Sequence, residues 1–374
     1  MNRVLKIGVD ARHLAYPNSG IGRYVGNLLR EFASGQTPHR FLLYSDRPFE
    51  LRFPLPGHWK IRTGNIHSRG RSTAFAQVFF PVWALKDGVD VFWSPRHQLP
   101  VLLSPRMRKV LTVHDVVWKR FPQTMTRDAV ALEALLMPMS LRIADQAITD
   151  SQFARSEILS YFPSAREKLA VVYLASSLKA EGEVGACPLS VPYFLVVGSY
   201  EPRKNLERML HAYIQYRGRT HHPLDLVIVG TEQWGAFSAS NFVETKHLQS
   251  CVHLIRRADD ATLRALYANA RALVMVSLYE GFGLPLVEAM QWSTPIIASN
   301  TSSVAEVAGD AALLVDPYDT EAITQALKQM TEDEAMRKEL AQKAEFRGQK
   351  FSWRQAAAET LALLVADSAA PTKK

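Results

Sequence analysis

The chain has 374 residues, which is more than one ordinary domain needs, so its length predicts two domains. Hydrophobic residues make up 47% and charged residues 21%, a composition that excludes a disordered or fibrous protein. The two cysteines exclude a disulfide framework, and no Cys/His cluster predicts structural zinc. No apolar run approaches the ~18 residues of a membrane span, and the first residues lack a signal-peptide core, so we expect a cytoplasmic protein.

The positive charge is concentrated in the first half of the chain. The formal net charge is +8, but residues 1–180 contain 25 Lys and Arg against 13 Asp and Glu, whereas the remainder contains 19 against 23. This asymmetry predicts an anionic partner, with a solvated basic surface as the alternative. Because no nucleic-acid-binding motif is present, we expect no nucleic acid. We favour an anionic membrane surface or a phosphorylated lipid, with the protein peripheral on the inner face of the cytoplasmic membrane.

Short apolar strands alternate with helices from the start of the chain. The predicted strands of the first half are Arg3–Asp10, Phe41–Ser45, Val89–Trp93, Val110–His114, Gln146–Thr149 and Leu169–Tyr173, and the predicted helices are Ile21–Ala33, Ala129–Ile143 and Ser151–Tyr161. Ser151 is the predicted N-cap of the last of these helices. The alternation indicates a parallel sheet covered by helices, in a first domain of residues 1–178.

A second alternation follows a segment rich in glycine and proline, which predicts a linker at residues 179–191. The predicted strands are then Tyr193–Val197, Leu224–Val229, Val252–Ile255, Ala272–Val276, Pro295–Ala298 and Ala312–Val315, and the predicted helices are Asn205–Arg217, Ala261–Ala268, Leu284–Trp292, Val304–Ala308 and Thr320–Met330. The sequence therefore predicts a second Rossmann-like domain at residues 192–352. Both domains should be doubly wound, with ligands bound beyond the carboxyl ends of their strands.

The segment Tyr279–Met290 follows a predicted strand and opens a helix. Its glycines allow close approach of the backbone to a ligand, and Pro285 suits the first turn of the helix. The start of such a helix binds anions through its N–H groups. The candidate ligand contacts here are Gly281, Phe282, Gly283 and Leu284.

Two glutamates flank this helix start. Glu280 lies just before it, and Glu288 lies eight residues further on, where a carboxylate can accept hydrogen bonds from sugar hydroxyls. A capped helix with a surface glutamate is the alternative reading, although an ordinary cap needs neither both glycines nor both acids.

Adjacent basic residues, Arg203 and Lys204, lie in the loop before another predicted helix. Positive charge is unfavourable at the start of a helix, but a bound diphosphate would make it favourable. A solvated basic turn is the alternative. The chain contains no D-x-D sequence, so we expect no metal-clamped diphosphate, and these cations should meet the charge of the leaving group instead.

Two further signals lie in the first half. Gly20-Ile21-Gly22 resembles a dinucleotide fingerprint but fails it, because the third glycine position is Val25. We interpret it as a glycine loop facing a phosphate or a sugar. His114 ends a predicted strand, which favours a functional role over a structural one once the other motifs are accepted.

Together these motifs resemble those of retaining glycosyltransferases of family four, which have the GT-B architecture of two Rossmann-like domains facing a cleft and include many bacterial mannosyltransferases. The resemblance implies that Glu280 contacts the donor sugar and Glu288 the ribose. It also implies that Arg203 and Lys204 bind the donor diphosphate and that His114 contacts the transferring sugar. The loop Gly20–Gly22 would lie near the diphosphate or the acceptor.

The same resemblance implies that the first domain binds the acceptor, that the second binds the nucleotide sugar, and that residues 353–374 form a helix crossing back to the first domain. The expected reaction transfers a hexosyl unit, mannosyl from GDP-mannose, to a sugar hydroxyl of a lipid-linked or polysaccharide acceptor, as in O-antigen-like synthesis. It needs no cofactor and no metal. GDP-D-rhamnose and UDP-sugars remain alternative donors, and a sugar-nucleotide epimerase or a non-catalytic sugar-binding protein are the alternative classes.

Overall fold

The computed structural model describes residues 3–66, 69–178, 185–231 and 237–366. The chain divides into two compact units, each with its own parallel sheet. The first unit comprises the described residues of Met1–Val116, Arg127–Leu174 and Trp353–Lys374, and the second those of Val117–Thr126 and Ala175–Ser352. Residues 179–184 of the predicted linker and residues 367–374 of the predicted C-terminal segment lie outside the described ranges.

The first sheet has seven parallel strands. They are β1 (Lys6–Asp10), β2 (Arg40–Ser45), β3 (Lys60–Thr63), β4 (Val91–Ser94), β5 (Arg108–Thr112), β6 (Gln146–Thr149) and β7 (Leu169–Val171). The spatial order is β3-β2-β1-β4-β5-β6-β7. The strand order reverses between β1 and β4, and the carboxyl ends at such a switch point are where open α/β sheets bind ligands.

The second sheet has six parallel strands and the same kind of reversal. They are β8 (Tyr193–Val197), β9 (Asp225–Val229), β10 (Val252–Ile255), β11 (Ala272–Met275), β12 (Ile296–Ser299) and β13 (Leu313–Val315). The spatial order is β10-β9-β8-β11-β12-β13, so β8 and β11 are neighbours at the switch point. Two parallel α/β sheets confirm the predicted fold class.

Helices connect the strands in both units. They are α1 (Gly20–Ser34), α2 (Arg69–Asp87), α3 (Val117–Arg120), α4 (Arg127–Ile143), α5 (Gln152–Tyr161), α6 (Leu206–Arg219), α7 (Ala239–Thr245), α8 (Asp260–Asn269), α9 (Leu284–Gln291), α10 (Ser302–Ala308), α11 (Thr320–Glu332), α12 (Glu334–Gly348) and α13 (Trp353–Val365). Serine side chains cap three of the described helices: the Ser19 hydroxyl accepts from Gly22 N, the Ser151 hydroxyl from Ala154 N, and the Ser238 hydroxyl from Asn241 N. The predicted N-cap at Ser151 is therefore confirmed. No helix in the described part is both long and apolar enough to cross a membrane.

Each unit has a buried apolar core. In the second unit Phe194, Leu226 and Ile297 from the sheet are fully buried with Tyr213 and Tyr216 of α6. The tyrosine hydroxyls are satisfied as well: Tyr213 donates to Leu224 O over 2.9 Å. In the first unit α13 packs on α1, with the rings of Tyr24 and Trp353 6.4 Å apart. The last described helix is thus part of the first unit.

The predicted strands and helices are all present, with ends shifted by at most three residues within the described ranges, but five of the observed helices and strands were not predicted. These are β3, α2, α3, α7 and α12. The edge strand β3 has no fully buried residue, so it lacks the apolar run of the other strands. Helix α2 contains Pro81 in its interior, and its apolar residues Val78, Val82 and Leu85 are exposed. Because apolar residues lie on more than one face, the sequence lacks the spacing of an amphipathic helix.

Candidate active site

The loops after β8 and β11 bring three predicted residues into direct contact. Arg203 Nη1 donates to Glu280 Oε2 over 2.7 Å, and Lys204 Nζ donates to Glu280 Oε1 over 2.5 Å. The carboxyl ends of neighbouring parallel strands lie at one edge of the sheet, which is why residues 76 positions apart meet. We refer to Arg203, Lys204 and Glu280 as the Glu280 cluster.

Glu280 is buried, with 6% of its surface exposed, yet it is ionised. Burial alone would raise the pKa of its carboxyl group, but Lys204 and Arg203 outweigh burial and lower the pKa to about 2. The main chain is fixed too, because the Ser303 hydroxyl donates to Glu280 O over 2.8 Å. The cluster therefore presents a charged carboxylate at a set position.

Arg203 joins the two loops. Its Nε donates to Glu201 Oε2 over 2.9 Å, and its Nη1 also donates to Tyr279 O over 3.2 Å. Glu201 in turn accepts from the Ser199 hydroxyl over 2.5 Å. An arginine that satisfies a carboxylate on each side holds a defined orientation, and it can offer the same fork to a phosphate.

A pocket lies beside Lys204. Its walls are mostly apolar, and Lys204 is the only charged residue among the described residues that line it. The lining residues are Val196, Val197, Gly198, Ser199, Tyr200, Lys204, Leu206, Met209, Val274, Met275, Val276 and Ser277.

The start of α9 has no side-chain cap. Its N-cap is Gly283, whose φ of 102° lies in the left-handed region that favours glycine, and Pro285 follows within the first turn. An uncapped helix start suits an anion. Of the other predicted contacts, Gly281 and Leu284 are half-buried, whereas Phe282 is buried with its ring 5.8 Å from that of Phe351.

Glu288 lies in the second turn of α9 and contacts neither Arg203 nor Lys204. It is buried, and its Oε2 accepts a hydrogen bond from the Tyr267 hydroxyl of α8 over 2.9 Å. Thr294 Oγ1 donates to Tyr267 O and fixes that residue in turn. The two predicted glutamates therefore have separate surroundings, and Tyr267 was not foreseen because it belongs to another helix.

Asn205 is a further residue that the motif analysis missed. Its φ of 60° is left-handed, and its side-chain Nδ2 donates to Val276 O over 3.0 Å and to Pro317 O over 2.7 Å. It thereby ties the start of α6 to the ends of β11 and β13. Asparagine tolerates the left-handed region, so its position directly after Lys204 was the available signal.

In the first unit, His114 follows β5 and contacts a carboxylate. Its Nδ1 lies 2.6 Å from Asp150 Oδ2, and its Nε2 lies 3.2 Å from Pro95 O. Burial would lower the pKa of the imidazole, but Asp150 and the Pro95 carbonyl outweigh burial and raise it. With an acceptor at each nitrogen, the geometry suits the doubly protonated ring. Asp150 follows β6, and sequence spacing gave no sign that it would meet His114.

The glycine loop of the first unit lies at the start of α1. A Cβ on Gly22 would lie 2.2 Å from Tyr16 O, so packing alone requires glycine there, whereas a Cβ on Gly20 would meet nothing within 4 Å. Ile21 is half-buried. The loop is connected to His114 through α1, because the ring of Tyr24 lies 5.0 Å from the imidazole in an edge-to-face arrangement.

A second polar cluster lies at the same edge of this sheet and was not predicted. Arg96, His97 and Gln98 follow β4, and Glu133 belongs to α4. Gln98 Nε2 donates to Glu133 Oε1 over 2.9 Å, and His97 Nδ1 lies 3.6 Å from Glu133 Oε2. We refer to these four residues as the Arg96 cluster. The ring of His97 lies 5.6 Å from that of His114, so both belong to one region.

Within the described ranges, no three His, Cys, Asp or Glu side chains are arranged to hold a metal ion. The strand-end groups found here are instead ion pairs and hydrogen-bonded side chains. Their arrangement can bind an anion in the second unit and polar groups in the first.

Comparison with known sequences defines the class of this protein. Residues 183–347 match the family of glycosyl transferases group 1. The chain is 30% identical to the O-antigen chain mannosyltransferase B of Escherichia coli, covering 96% of this chain and 98% of that protein. It is 28% identical to the O-antigen chain mannosyltransferase RfbU of Salmonella typhimurium, covering 63% of each. The chain belongs to the group 1 glycosyl transferases, and the predicted glycosyltransferase class is confirmed.

A solved structure supports the architecture. The sucrose-phosphate synthase of Thermosynechococcus elongatus superimposes with a TM-score of 0.77 at 21% identity, covering 96% of this chain and 98% of that one. The likeness shows the fold, and the predicted GT-B architecture is confirmed. As a group 1 transferase, the protein has a nucleotide sugar and a glycan acceptor as its partners.

Proposed function

We propose that the protein transfers a mannosyl unit from GDP-mannose to a sugar hydroxyl of a lipid-linked or polysaccharide acceptor, as in bacterial surface-polysaccharide synthesis. The observation that supports this most is the Glu280 cluster beside the uncapped start of α9. The choice of mannose rests on relatives that are O-antigen mannosyltransferases. GDP-D-rhamnose and UDP-sugars are the competing donors.

In this proposal the predicted second domain, residues 192–352, binds the donor. Lys204 and Arg203 would take the diphosphate oxygens, and the start of α9 would add N–H groups. Glu280 would contact the hydroxyls of the donor sugar, and Glu288 those of the ribose. Burial of both carboxylates supports these roles, since buried carboxylates in a polar site need hydrogen-bond donors.

The predicted first domain, residues 1–178, would bind the acceptor, with the loop of Gly20 to Gly22 near a phosphate or a sugar. His114 would contact the transferring sugar, and its proximity to Asp150 supports a fixed ring. The helix within residues 353–374 would complete this unit, as the packing of Trp353 on Tyr24 suggests.

The proposed reaction proceeds with retention of configuration. The bond from C1 of the sugar to the diphosphate oxygen breaks, and a bond from C1 to the acceptor oxygen forms on the same face. The proton of the acceptor hydroxyl passes to the departing phosphate oxygen. The protein mainly positions the reactants and stabilises the charge of the leaving group through Arg203 and Lys204.

Exposed apolar side chains support a peripheral membrane location. Four apolar side chains are between 56% and 73% exposed: Val78 and Leu85 of α2, Leu102 in the loop after β4, and Leu135 of α4. Helices α2 and α4 both hydrogen-bond to the loop after β4. Gln77 of α2 bonds to the main chain of Leu99 and Val101, and the Ser140 hydroxyl of α4 accepts from Leu99 N. Such a surface on the basic half suits an anionic bilayer. Vesicle binding should weaken as salt rises, and equal binding to neutral and anionic vesicles would contradict this location.

The donor assignment can be tested with a thermal-shift series of GDP, UDP, ADP and dTDP. GDP should stabilise most, since a ligand at 100 times its Kd contributes about 2.7 kcal/mol. Release of nucleoside diphosphate from GDP-mannose should then depend on acceptor and persist in EDTA. Release without any acceptor dependence would favour a different reaction class, and complete reversible loss in EDTA would contradict metal independence.

A further inference from the structure

Arg96 is half-buried and its side chain has neither a hydrogen bond nor an ion pair within the described residues. Burial and the charge of Arg12 lower the pKa of Arg96 to about 10, while Asp10, Glu133 and Asp46 act in the opposite direction. The guanidinium therefore stays protonated at neutral pH. It has up to five N–H donors in a fixed fork, and no acceptor among the described residues is hydrogen-bonded to them.

Nearby side chains contain further buried polar atoms without hydrogen bonds. His97 Nε2, Gln98 Oε1 and Asp150 Oδ1 are buried and make no hydrogen bond in the described part of the chain, and buried Glu133 Oε2 has only the 3.6 Å ion pair with His97 Nδ1. Nine in ten or more buried backbone groups, and most buried side-chain atoms, are hydrogen-bonded in folded proteins. Several buried polar atoms without hydrogen bonds at the carboxyl ends of the strands indicate a polar site, where a bound molecule or water supplies the missing hydrogen bonds.

The charge around Arg96 is already balanced, and this decides what kind of ligand fits. Asp10 pairs with Arg12 over 2.6 Å, and Asp46 pairs with Arg47 over 3.0 Å. The Glu133 carboxylate is ionised, because His97 and Arg96 outweigh burial and lower its pKa. The ion pairs of Asp10 and Asp46 leave Arg96 and Glu133 to compensate each other. A bound anion would therefore add uncompensated negative charge, whereas a neutral polyol accepts hydrogen bonds from Arg96 without changing the balance.

We infer that Arg96 is a specificity residue that donates hydrogen bonds to the hydroxyl oxygens of a neutral acceptor sugar, and that this subsite disfavours a phosphorylated one. The inference rests on the proposed glycosyl transfer and adds the residue and the chemical class of its acceptor. The His97–Glu133 pair positions the segment that follows β4.

The test uses the full chain, the donor identified by the nucleotide series, and two acceptors: octyl α-mannoside and the same glycoside with a 6-phosphate. Wild-type protein should use the neutral glycoside with an acceptor KM that is insensitive to salt. Arg96→Gln should raise that KM about tenfold or more, as expected for a hydrogen bond to a charged donor. The donor KM and the affinity for GDP should not change.

Two variants keep the result interpretable. Arg40→Gln, which changes an exposed arginine at the amino end of β2 and so at the opposite edge of the sheet, should leave the acceptor KM unaltered. Arg96→Lys keeps the charge but loses the fork, so it should behave like Arg96→Gln. Full recovery by lysine would mean that charge alone matters, and it would overturn the inference.

Three other outcomes would overturn it: an unchanged acceptor KM in Arg96→Gln, a preference for the phosphorylated glycoside that salt abolishes, or turnover of neither glycoside while donor hydrolysis persists. Loss of GDP affinity in Arg96→Gln would assign the residue to the donor and refute it as well. If wild-type protein binds none of the four nucleotides, the proposed function itself fails, and this result is distinct from the others.

Discussion

The Glu280 cluster and the Arg96 cluster compensate their charges differently. Glu280 contacts Arg203 and Lys204 directly, at 2.7 Å and 2.5 Å. Asp10, Glu133 and Asp46 act on the pKa of Arg96, but Arg96 forms no hydrogen bond or ion pair with any of them in the described structure. A ligand at the first cluster must exchange partners with groups already paired, whereas a ligand at the second adds hydrogen bonds that the protein leaves unmade.

This difference matches the chemistry proposed for each unit. A diphosphate gains negative charge as it departs, so cations already shared with a carboxylate can shift toward it without a large movement. A neutral sugar does not change its charge on binding, and donors whose charge is balanced nearby select it over an anion. In the proposal, cations that exchange a carboxylate for a diphosphate therefore lie at the second sheet, and donors that hydrogen-bond a neutral sugar lie at the first.

The largest expected effect comes from the Glu280 cluster. Glu280→Gln keeps the shape of the side chain but removes the charge that competes with a diphosphate for Arg203 and Lys204. We expect kcat to fall by roughly a hundredfold or more, as for loss of one preorganised electrostatic contact. GDP affinity should stay the same or increase. Single-turnover kinetics and calorimetry measure both.

Glu244→Gln, in an exposed position of α7, is the matched control and should change neither quantity. A Glu280→Gln protein that loses GDP affinity while kcat stands would reverse the roles assigned to the two glutamates. It would also contradict the proposed difference between the Glu280 cluster and the Arg96 cluster, because the Glu280 carboxylate would then bind the nucleotide and would not compete with it.

The Glu280 cluster could be predicted from the sequence because each part belongs to a short motif at a strand end. Arg203 and Lys204 are adjacent, and Glu280 precedes two glycines and a proline. The alternation of strands and helices then placed both loops at one edge of the sheet. What the sequence could not supply was the direct contact, since it depends on β8 and β11 being neighbours.

The second expected effect separates binding from catalysis within α9. Glu288 accepts from Tyr267 and lies apart from the paired cations. Glu288→Gln should raise the donor KM about tenfold and weaken GDP similarly, with kcat nearly unchanged, because ribose binding is equal in the ground state and the transition state. Tyr267→Phe should have a smaller effect in the same direction. A loss confined to kcat would show that Glu288 acts in the transition state instead.

The Arg96 cluster could not be predicted because its parts are scattered. Glu133 lies 35 residues from its partner Gln98, in a helix whose apolar spacing predicted only packing. Asp150 lies 36 residues from His114. No local spacing records that β4, β5 and β6 are neighbours, so only the strand order brings these groups together. The available signal was the pair Arg96-His97, which begins three residues after the predicted strand Val89–Trp93.

The smallest expected effect concerns His114, which lies next to the Arg96 cluster and has a raised pKa. Asp150 and the Pro95 carbonyl, with Asp115 in support, keep the pKa of His114 above its ordinary value of about 6.5 despite burial. Asp150→Asn preserves the shape but removes the charge, so burial should then lower the pKa. If the imidazolium is the active form, the rate should fall at a lower pH in Asp150→Asn than in wild type. The rate should differ by only a few-fold at about pH 6 and by more at about pH 8.

The same change has a consequence for stability with a definite sign. A folded pKa raised above the unfolded one stabilises the protein below about pH 6.5, and this contribution is lost as pH rises through the folded pKa. The difference in melting temperature between wild type and Asp150→Asn should therefore shrink as pH increases. Asp128→Asn, exposed in the first turn of α4, should show no such trend. A difference that is constant with pH would mean that Asp150 stabilises the fold without a protonated His114, and the comparison of this pair with the Glu280 cluster would then fail.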